Sequence, residues 1–370
     1  MSQLISLSTL TFAIACGVAA VGIGSGARAQ TDQHVAEPVN HANLSVYFLR
    51  GPSASGPVPL TLSEALAKGA VAVHETGNVN QLEVENASAE DVFIQAGDIV
   101  KGGQQDRVLT VSLLLPANSG RMPIGAYCVE QGRWSARGKE DVKRFASSDK
   151  SVPSREAKLA MLAPAGPRAA APSQLAPAGE TMQNQRIRPA GIGQGGSDTG
   201  SRQSEVWANV GKIQEKLSSN LKAKVAAGAS ASSLQLSLEN EALGAAKAAY
   251  VEALKDKASD GPIVGVAFAI NGRISSAEIY PSHGLFAKMW PKLLDAIVTE
   301  AIGEQHEVTG AAPTPAMVSA FLAAADNGKS EPATPVAAGL ARQAFEGAGS
   351  LAVATRRANG AEIHRTYLAR

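Results

Sequence analysis

Aromatic residues make up only 4% of the 370 positions, and cysteine occurs twice. The first shortage excludes a core built on large rings and points to small and aliphatic side chains, in keeping with 45% hydrophobic residues and 36 glycines. The second excludes a disulfide framework. Charge of one sign is missing too, since 34 Lys and Arg stand against 33 Asp and Glu for a formal net charge of +1. Without a broad positive field nothing can hold a phosphate backbone, so nucleic acid is not expected as a partner. His34, His41, His74, His283, His306 and His364 are scattered singly with no ligand-spaced neighbour, so no metal is expected. Nor does any motif imply a cofactor. The glycine pair in "AGDIVKGGQQDR" lacks the Gly-Lys-Ser/Thr close of a nucleotide P-loop, and no helical pattern follows it.

The first thirty residues stand apart. "LISLSTLTFAIACGVAAVGIGSGARAQ" has an apolar centre, small residues at its end and Ala-Arg-Ala before Gln30, the pattern of a secretory signal with a small-x-small cleavage site. Residues 1–29 are therefore expected to be a signal peptide, and the mature protein to be exported, periplasmic or secreted. The competing reading is a membrane anchor, but the glycine-rich end is too weakly apolar to fill a bilayer span. No stable membrane span is expected after cleavage. Cys16 leaves with this segment, and Cys128 remains as a lone thiol.

Two changes of texture divide the rest. From Leu44 to about Trp134, "LSVYFL", "AVAVHE", "QLEVEN", "DVFIQAG", "VLTVSLLL" and "IGAYCVE" are short β-branched runs separated by Gly, Pro, Asn and Asp, which predicts a sandwich- or barrel-like β-rich half over 43–150. A short helix interrupts it at "TLSEALAKG", where Thr61 and Glu64 have capping-box spacing and Gly69 stands at the stop. Residues 161–200 are rich in Ala, Pro, Gly and Ser and are expected to form a disordered linker or insert. Over 201–370 the pattern is α+β, with antiparallel hairpins packed with helices. In "SEVWANVGKIQEKLSSNL" Val206, Val210, Ile213, Leu217 and Leu221 form one helical face, and "SLENEALGAAKAAYVEALKD" carries a second stripe. Asn271-Gly272 predicts a type I′ hairpin, and Asn359-Gly360 centres another.

The candidate chemistry gathers in "CVEQGRWSARG" and in the Gly97–Arg107 loop. Cys128 followed by Arg133 invites comparison with the anion-cradling loops of cysteine phosphatases and sulfurtransferases. The spacing is one residue short of the former, and no helix of the kind that follows the latter is predicted. Cys128 is instead expected to be a small core residue. Strand alternation places Ala126, Cys128 and Glu130 on one face, so Glu130 needs water or a cation, and the turn at Gly132 could swing Arg133 back to supply one.

These segments, in order, resemble a known family. "GDIVKGGQQDRVLTVSLLLP", "CVEQGRW", "SEVWANV" and "VGVAFAINGRISSAEIY" with "LFAKMWPKLL" are similar to the ARG and rhodanese-phosphatase-superfamily-associated protein domain family, over nearly the whole mature chain outside the linker. The loop departs from the commoner pattern at two places: Asp98-Ile99 stands where an acidic pair is usual, and Gln104 stands for a lysine. The family's name hints at ADP-ribose or phosphoester metabolism, but no reaction defines it.

Two functions follow. The first is an exported binding or interaction protein, holding a small anionic ligand or a partner through Gln105, Asp106, Arg107, Arg133 and Trp134, with the arginines clamping the anion. The second is a hydrolase of an ADP-ribose-like or phosphoester substrate, with Glu130 or Asp98 as base. The same polar residues could also be an internal network joining the two halves. An enzyme should set Glu130 or Asp98 beside an open pocket, whereas a binding or scaffold protein should show them paired and covered. The oligomeric state cannot be read from the sequence.

Overall fold

The computed structural model describes residues 33–133, 137, 140–162, 198–259, 261–305 and 310–370. The expected signal segment, Trp134, His306 and most of the expected linker (163–197) lie outside these residues. The linker's expected edges are helical: Met161 and Leu162 are buried at the end of helix Arg155–Leu162, and the helix Asp198–Leu221 begins before residue 200. The fold is α+β and rich in antiparallel sheet.

A large sheet forms the base. Strand Ile263–Ile270 is buried at every position, because both of its faces are covered. Leu44–Arg50 pairs with it antiparallel, and on its other side lie Arg273–Ile279, Glu362–Ala369, Ser350–Arg357 and Leu340–Gly347 in that order. The sequence groups Leu44–Arg50 with the β-rich half. It sits in this sheet instead because a strand buried along nearly its whole length needs a place covered on both sides.

Alternation then assigns the faces. Val46, Phe48, Val266 and Phe268 meet the helices Asp198–Leu221, Glu241–Leu254 and His283–Gly303. Tyr47, Leu49, Ala267 and Ala269 lie under helix Pro315–Asp326. On Asp198–Leu221 the expected stripe is buried at Val206, Val210, Ile213 and Leu217 and half-buried at Leu221.

The second unit is a nearly closed barrel of Phe145–Ala146, Ile99–Gly102, Arg107–Leu109, Gly120–Cys128, Gln81–Asn86 and Val71–Glu75, in that order round the sheet. A bridge between His74 and Arg144 brings its two edges together. Val71, Val73, Leu82, Val84, Leu109, Ile124 and Ala126 fill the lumen, and a small sheet of Leu60–Thr61, Val92–Ile94 and Leu113–Leu115 shares this core.

Local signals hold where the geometry is demanding. Thr61 and Glu64 form both hydrogen bonds of the capping box on helix Leu62–Ala67. Asn271 and Gly272 have φ of 52° and 77°, as a type I′ turn requires. At the second hairpin only Gly360 has positive φ.

Candidate functional site

Of the residues singled out in the sequence, Gln105, Asp106, Arg107, Cys128, Glu130 and Arg133 meet at one mouth of the barrel, whereas Asp98 lies apart from them. Continuing the inward alternation of Val71-Val73, Leu109 and Ala126 by one step brings in Glu75, Arg107 and Cys128, which replace the apolar lumen with charge. Arg107 Nη2 lies 3.4 Å from Glu75 Oε2, and its Nη1 donates to the Gln105 carbonyl at 2.9 Å. One layer out, Glu130 Oε2 accepts from Arg133 Nε at 2.8 Å and from the Asp106 amide at 3.2 Å. Asp106 is held in turn by both terminal nitrogens of Arg137, at 3.0 and 3.1 Å, and by the Ser233 hydroxyl at 2.9 Å.

The glycine pair explains the shape of this loop. Gly102 and Gly103 have φ of 113° and 55°, and a Cβ on Gly103 would stand 2.4 Å from the Phe145 ring. The Gly102 amide, which could have met an external anion, donates to Asp106 Oδ1 at 2.9 Å. The chain's own carboxylate therefore occupies that amide.

Glu130 and Asp98 are 0% and 1% exposed, so both are paired and covered. Asp98 belongs to a separate contact, accepting from Lys292 Nζ at 2.8 Å and from the Gln95 amide at 2.9 Å. Burial pushes the Cys128 thiol up to about 11, against the pull of nearby Arg107, so it is neither ionised nor accessible at neutral pH. These residues tie the barrel to the helical layer. Besides Asp98–Lys292 and Asp106–Ser233, Lys101 meets Glu239 at 2.7 Å, and the Gln203 side chain brackets the Cys128 backbone at 2.8 and 2.9 Å.

A second polar cluster lies where the sequence shows only isolated residues. Helix Arg155–Leu162 crosses the large sheet and sets Lys158 Nζ 3.0 Å from Glu278 Oε1, whose other oxygen is 3.1 Å from His364 Nε2. Burial pushes the Glu278 carboxyl up, but Lys158 and His364 outweigh it and hold the group down at about 2. Glu300, on helix His283–Gly303, is not ion-paired to that lysine. Burial pushes it up to about 7, outweighing the opposite pull of Lys158, the Ser275 hydroxyl and Arg155. Two carboxylates in one neighbourhood are thus driven apart. The sequence carried one faint signal for this cluster: Glu278 and His364 are charged or titratable residues inside strands whose neighbours are apolar.

Glu300 opens onto a cavity of about 200 Å³ lined by Ser154, Arg155, Asn271, Arg273 and Ser275 and also by the carboxylates Glu156 and Glu304. A β-bulge makes it. Phe268 pairs with Ser276 and Ala269 with Ile274, so Ser275 is the extra residue, and its hydroxyl is turned to donate to Glu300 at 2.9 Å. Ser154 Oγ accepts from the Ala157 amide at 3.3 Å. Among the described residues no carboxylate lies within ion-pair distance of Arg155 or Arg273, and Arg155 Nε is buried without a hydrogen-bond partner. Glu304, by contrast, is bonded to Lys216.

Among the described residues no group of His, Cys, Asp and Glu is arranged to hold a metal ion, and no helix is long and apolar enough to cross a membrane. The chain matches the model of the family described as ARG and Rhodanese-Phosphatase-superfamily-associated Protein domain over residues 32–368. No curated protein and no solved structure matches it. The chain belongs to that family, over nearly the whole of its length.

Proposed function

We propose that this family member is an exported protein that binds a small anionic ligand in the cavity between Arg155, Arg273 and Glu300. The observation that carries this is the contrast between two sets of arginines. Those at the barrel mouth, Arg107, Arg133 and Arg137, each face a carboxylate of the chain itself, which leaves no bidentate clamp for an anion. Arg155 and Arg273 have no carboxylate at ion-pair distance among the described residues and line one cavity with Ser154 and Ser275. Glu300, with its carboxyl pushed up to about 7, can meet an anion in its neutral form and donate to it.

Size narrows the ligand. Sites for drug-sized molecules run from roughly 300 to 1,000 Å³, and about 200 Å³ is too small for a dinucleotide-like molecule such as ADP-ribose. Phosphate, sulfate or a short dicarboxylate fits. The covered positions of Glu130 and Asp98 argue against hydrolysis by either carboxylate: Asp98 ties the barrel to Lys292 of the helical layer, and Glu130 holds Arg133 within the barrel mouth. Export rests on the signal-like residues 1–29, and the family match begins just beyond them, at residue 32. Recovery of a secreted product beginning at Gln30 would test it.

Calorimetric titration with phosphate, sulfate, succinate and ADP-ribose tests the ligand. A charge-assisted hydrogen bond contributes about 1.5–3 kcal/mol, so Arg155→Gln or Arg273→Gln should weaken binding of the preferred small anion by roughly ten- to a hundredfold. The proposal fails if none of the small anions binds, or if both variants bind as the natural sequence does.

A further inference from the structure

The largest cleft among those described lies elsewhere, beside the loop Gly51–Pro59. Its volume is about 580 Å³, which falls within the range of sites for small organic ligands. Phe93, Leu285 and Ile363 are buried in its floor, with Val58 and Leu114 half-buried on the walls. The loop is held over it by two anchors: Ala54 N donates to the Pro281 carbonyl at 2.8 Å, and His283 N donates to Ser53 Oγ at 3.0 Å. Gly284 completes the seat. A Cβ there would stand 2.5 Å from Val58 Cγ2, so a larger residue would have to push the Val58 side chain aside at the start of helix His283–Gly303.

The charges on the rim are Glu90, Asp91, Glu362 and Arg357. Glu362 is occupied by Arg356 at 3.2 Å and by Arg365. Asp91 Oδ1 accepts from the Ala117 amide at 3.1 Å, a contact that leaves its charge unneutralised. Glu90 has no ion-pair partner among the described residues. Two uncompensated carboxylates therefore stand against the single cation Arg357, which is exposed at the tip of its hairpin.

We propose that this cleft is a second ligand site, for an amphipathic molecule whose apolar body lies on Phe93, Leu285 and Ile363 and whose amine end meets Glu90 and Asp91. It differs from the anion cavity in position, size and sign, and shares no lining residue with it. Anion binding and amine binding can fail separately.

The test compares decylamine, decanol and decanoate, each below its aggregation concentration, by calorimetry on the full chain. The amine should bind tightest, by about fivefold or more over the alcohol, since partly exposed ion pairs contribute up to about 1 kcal/mol each. The double variant Glu90→Gln, Asp91→Asn should remove most of that preference while keeping alcohol binding, because asparagine can still accept from the Ala117 amide. Ser55→Trp, at an exposed loop position, should block all three probes without lowering the melting temperature or weakening phosphate binding. Tightest binding of the carboxylate would transfer control to Arg357 and overturn the proposal. So would failure of every alkyl probe to bind, or unchanged binding in Ser55→Trp.

Discussion

Replacing Glu130 with glutamine separates a clasp from a working site. The side chain is 0% exposed and sits 2.8 Å from Arg133 Nε and 3.5 Å from Arg137 Nη1, while it accepts from the Asp106 amide at 3.2 Å. Glutamine keeps one acceptor but turns an NH₂ toward groups that are all donors. Breaking a buried ion pair by removing one partner costs about 3–5 kcal/mol. The lower end applies here, because both arginines retain Asp106, and Arg137 also retains Glu140 at 2.9 Å. A loss of about 3 kcal/mol in a chain of this size should lower the melting temperature by roughly 6–12 °C, taking 2–4 °C per kcal/mol. Calorimetric or circular-dichroism melts would read it, with Glu83→Gln as control: Glu83 belongs to a half-exposed pair with Arg121 at 3.7 Å and should change stability by no more than about 0.5 kcal/mol. Phosphate affinity of the folded fraction should not change. A Glu130→Gln protein that melts within about 2 °C of the natural sequence but no longer binds phosphate would refute the clasp and return the function to the barrel mouth.

Anion binding should weaken as pH rises through about 7, where burial has placed the Glu300 carboxyl, because the neutral form donates and the charged form repels. Glu300→Gln should flatten that dependence in titrations at pH 6 and 8. Stability has the same sign: a carboxyl raised above its unfolded value favours the folded state at low pH and loses that contribution as pH rises through the folded value. Glu300→Gln should therefore gain most in melting temperature above pH 7. Cys128 should resist thiol reagents in the native state at neutral pH and label only on unfolding, and Cys128→Ala should cost on the order of 1 kcal/mol or somewhat more, read by urea denaturation. Lys158→Met should destabilise by about 3–5 kcal/mol, because it leaves the Glu278 carboxylate buried without its main cation. The double change with Glu278→Leu should recover much of that loss in the same assay.

What could be read from the sequence were features fixed by neighbours a few residues apart. The capping box at Thr61 and Glu64, the positive φ pair at Asn271-Gly272 and the stripe from Val206 to Leu217 are local, and each is found in place. The return of Arg133 onto Glu130 is local as well, at i and i+3. Contacts across the chain were not visible. Lys158 and Glu278 are 120 positions apart and meet only because helix Arg155–Leu162 crosses the large sheet. The anion cavity depends on a one-residue bulge at Ser275, and nothing in "RISSAEI" distinguishes a bulged serine from a paired one. Of the polar residues bordering apolar strands, Asp106, Arg107, Glu130 and Arg133 come together at the barrel mouth and Asp98 does not. Whether such a cluster faces solvent or itself depends on which carboxylates the rest of the fold brings to the arginines, and here it supplies Asp106 and Glu75.

The most direct measurement is anomalous diffraction from a crystal of the full chain soaked in selenate at pH 6. The expected result is a selenium peak between the guanidiniums of Arg155 and Arg273, within hydrogen-bond reach of Ser275 and Glu300, and its loss in Arg155→Gln. A peak at the barrel mouth beside Arg107 and Arg133, with the Arg155 cavity empty, would contradict the assignment.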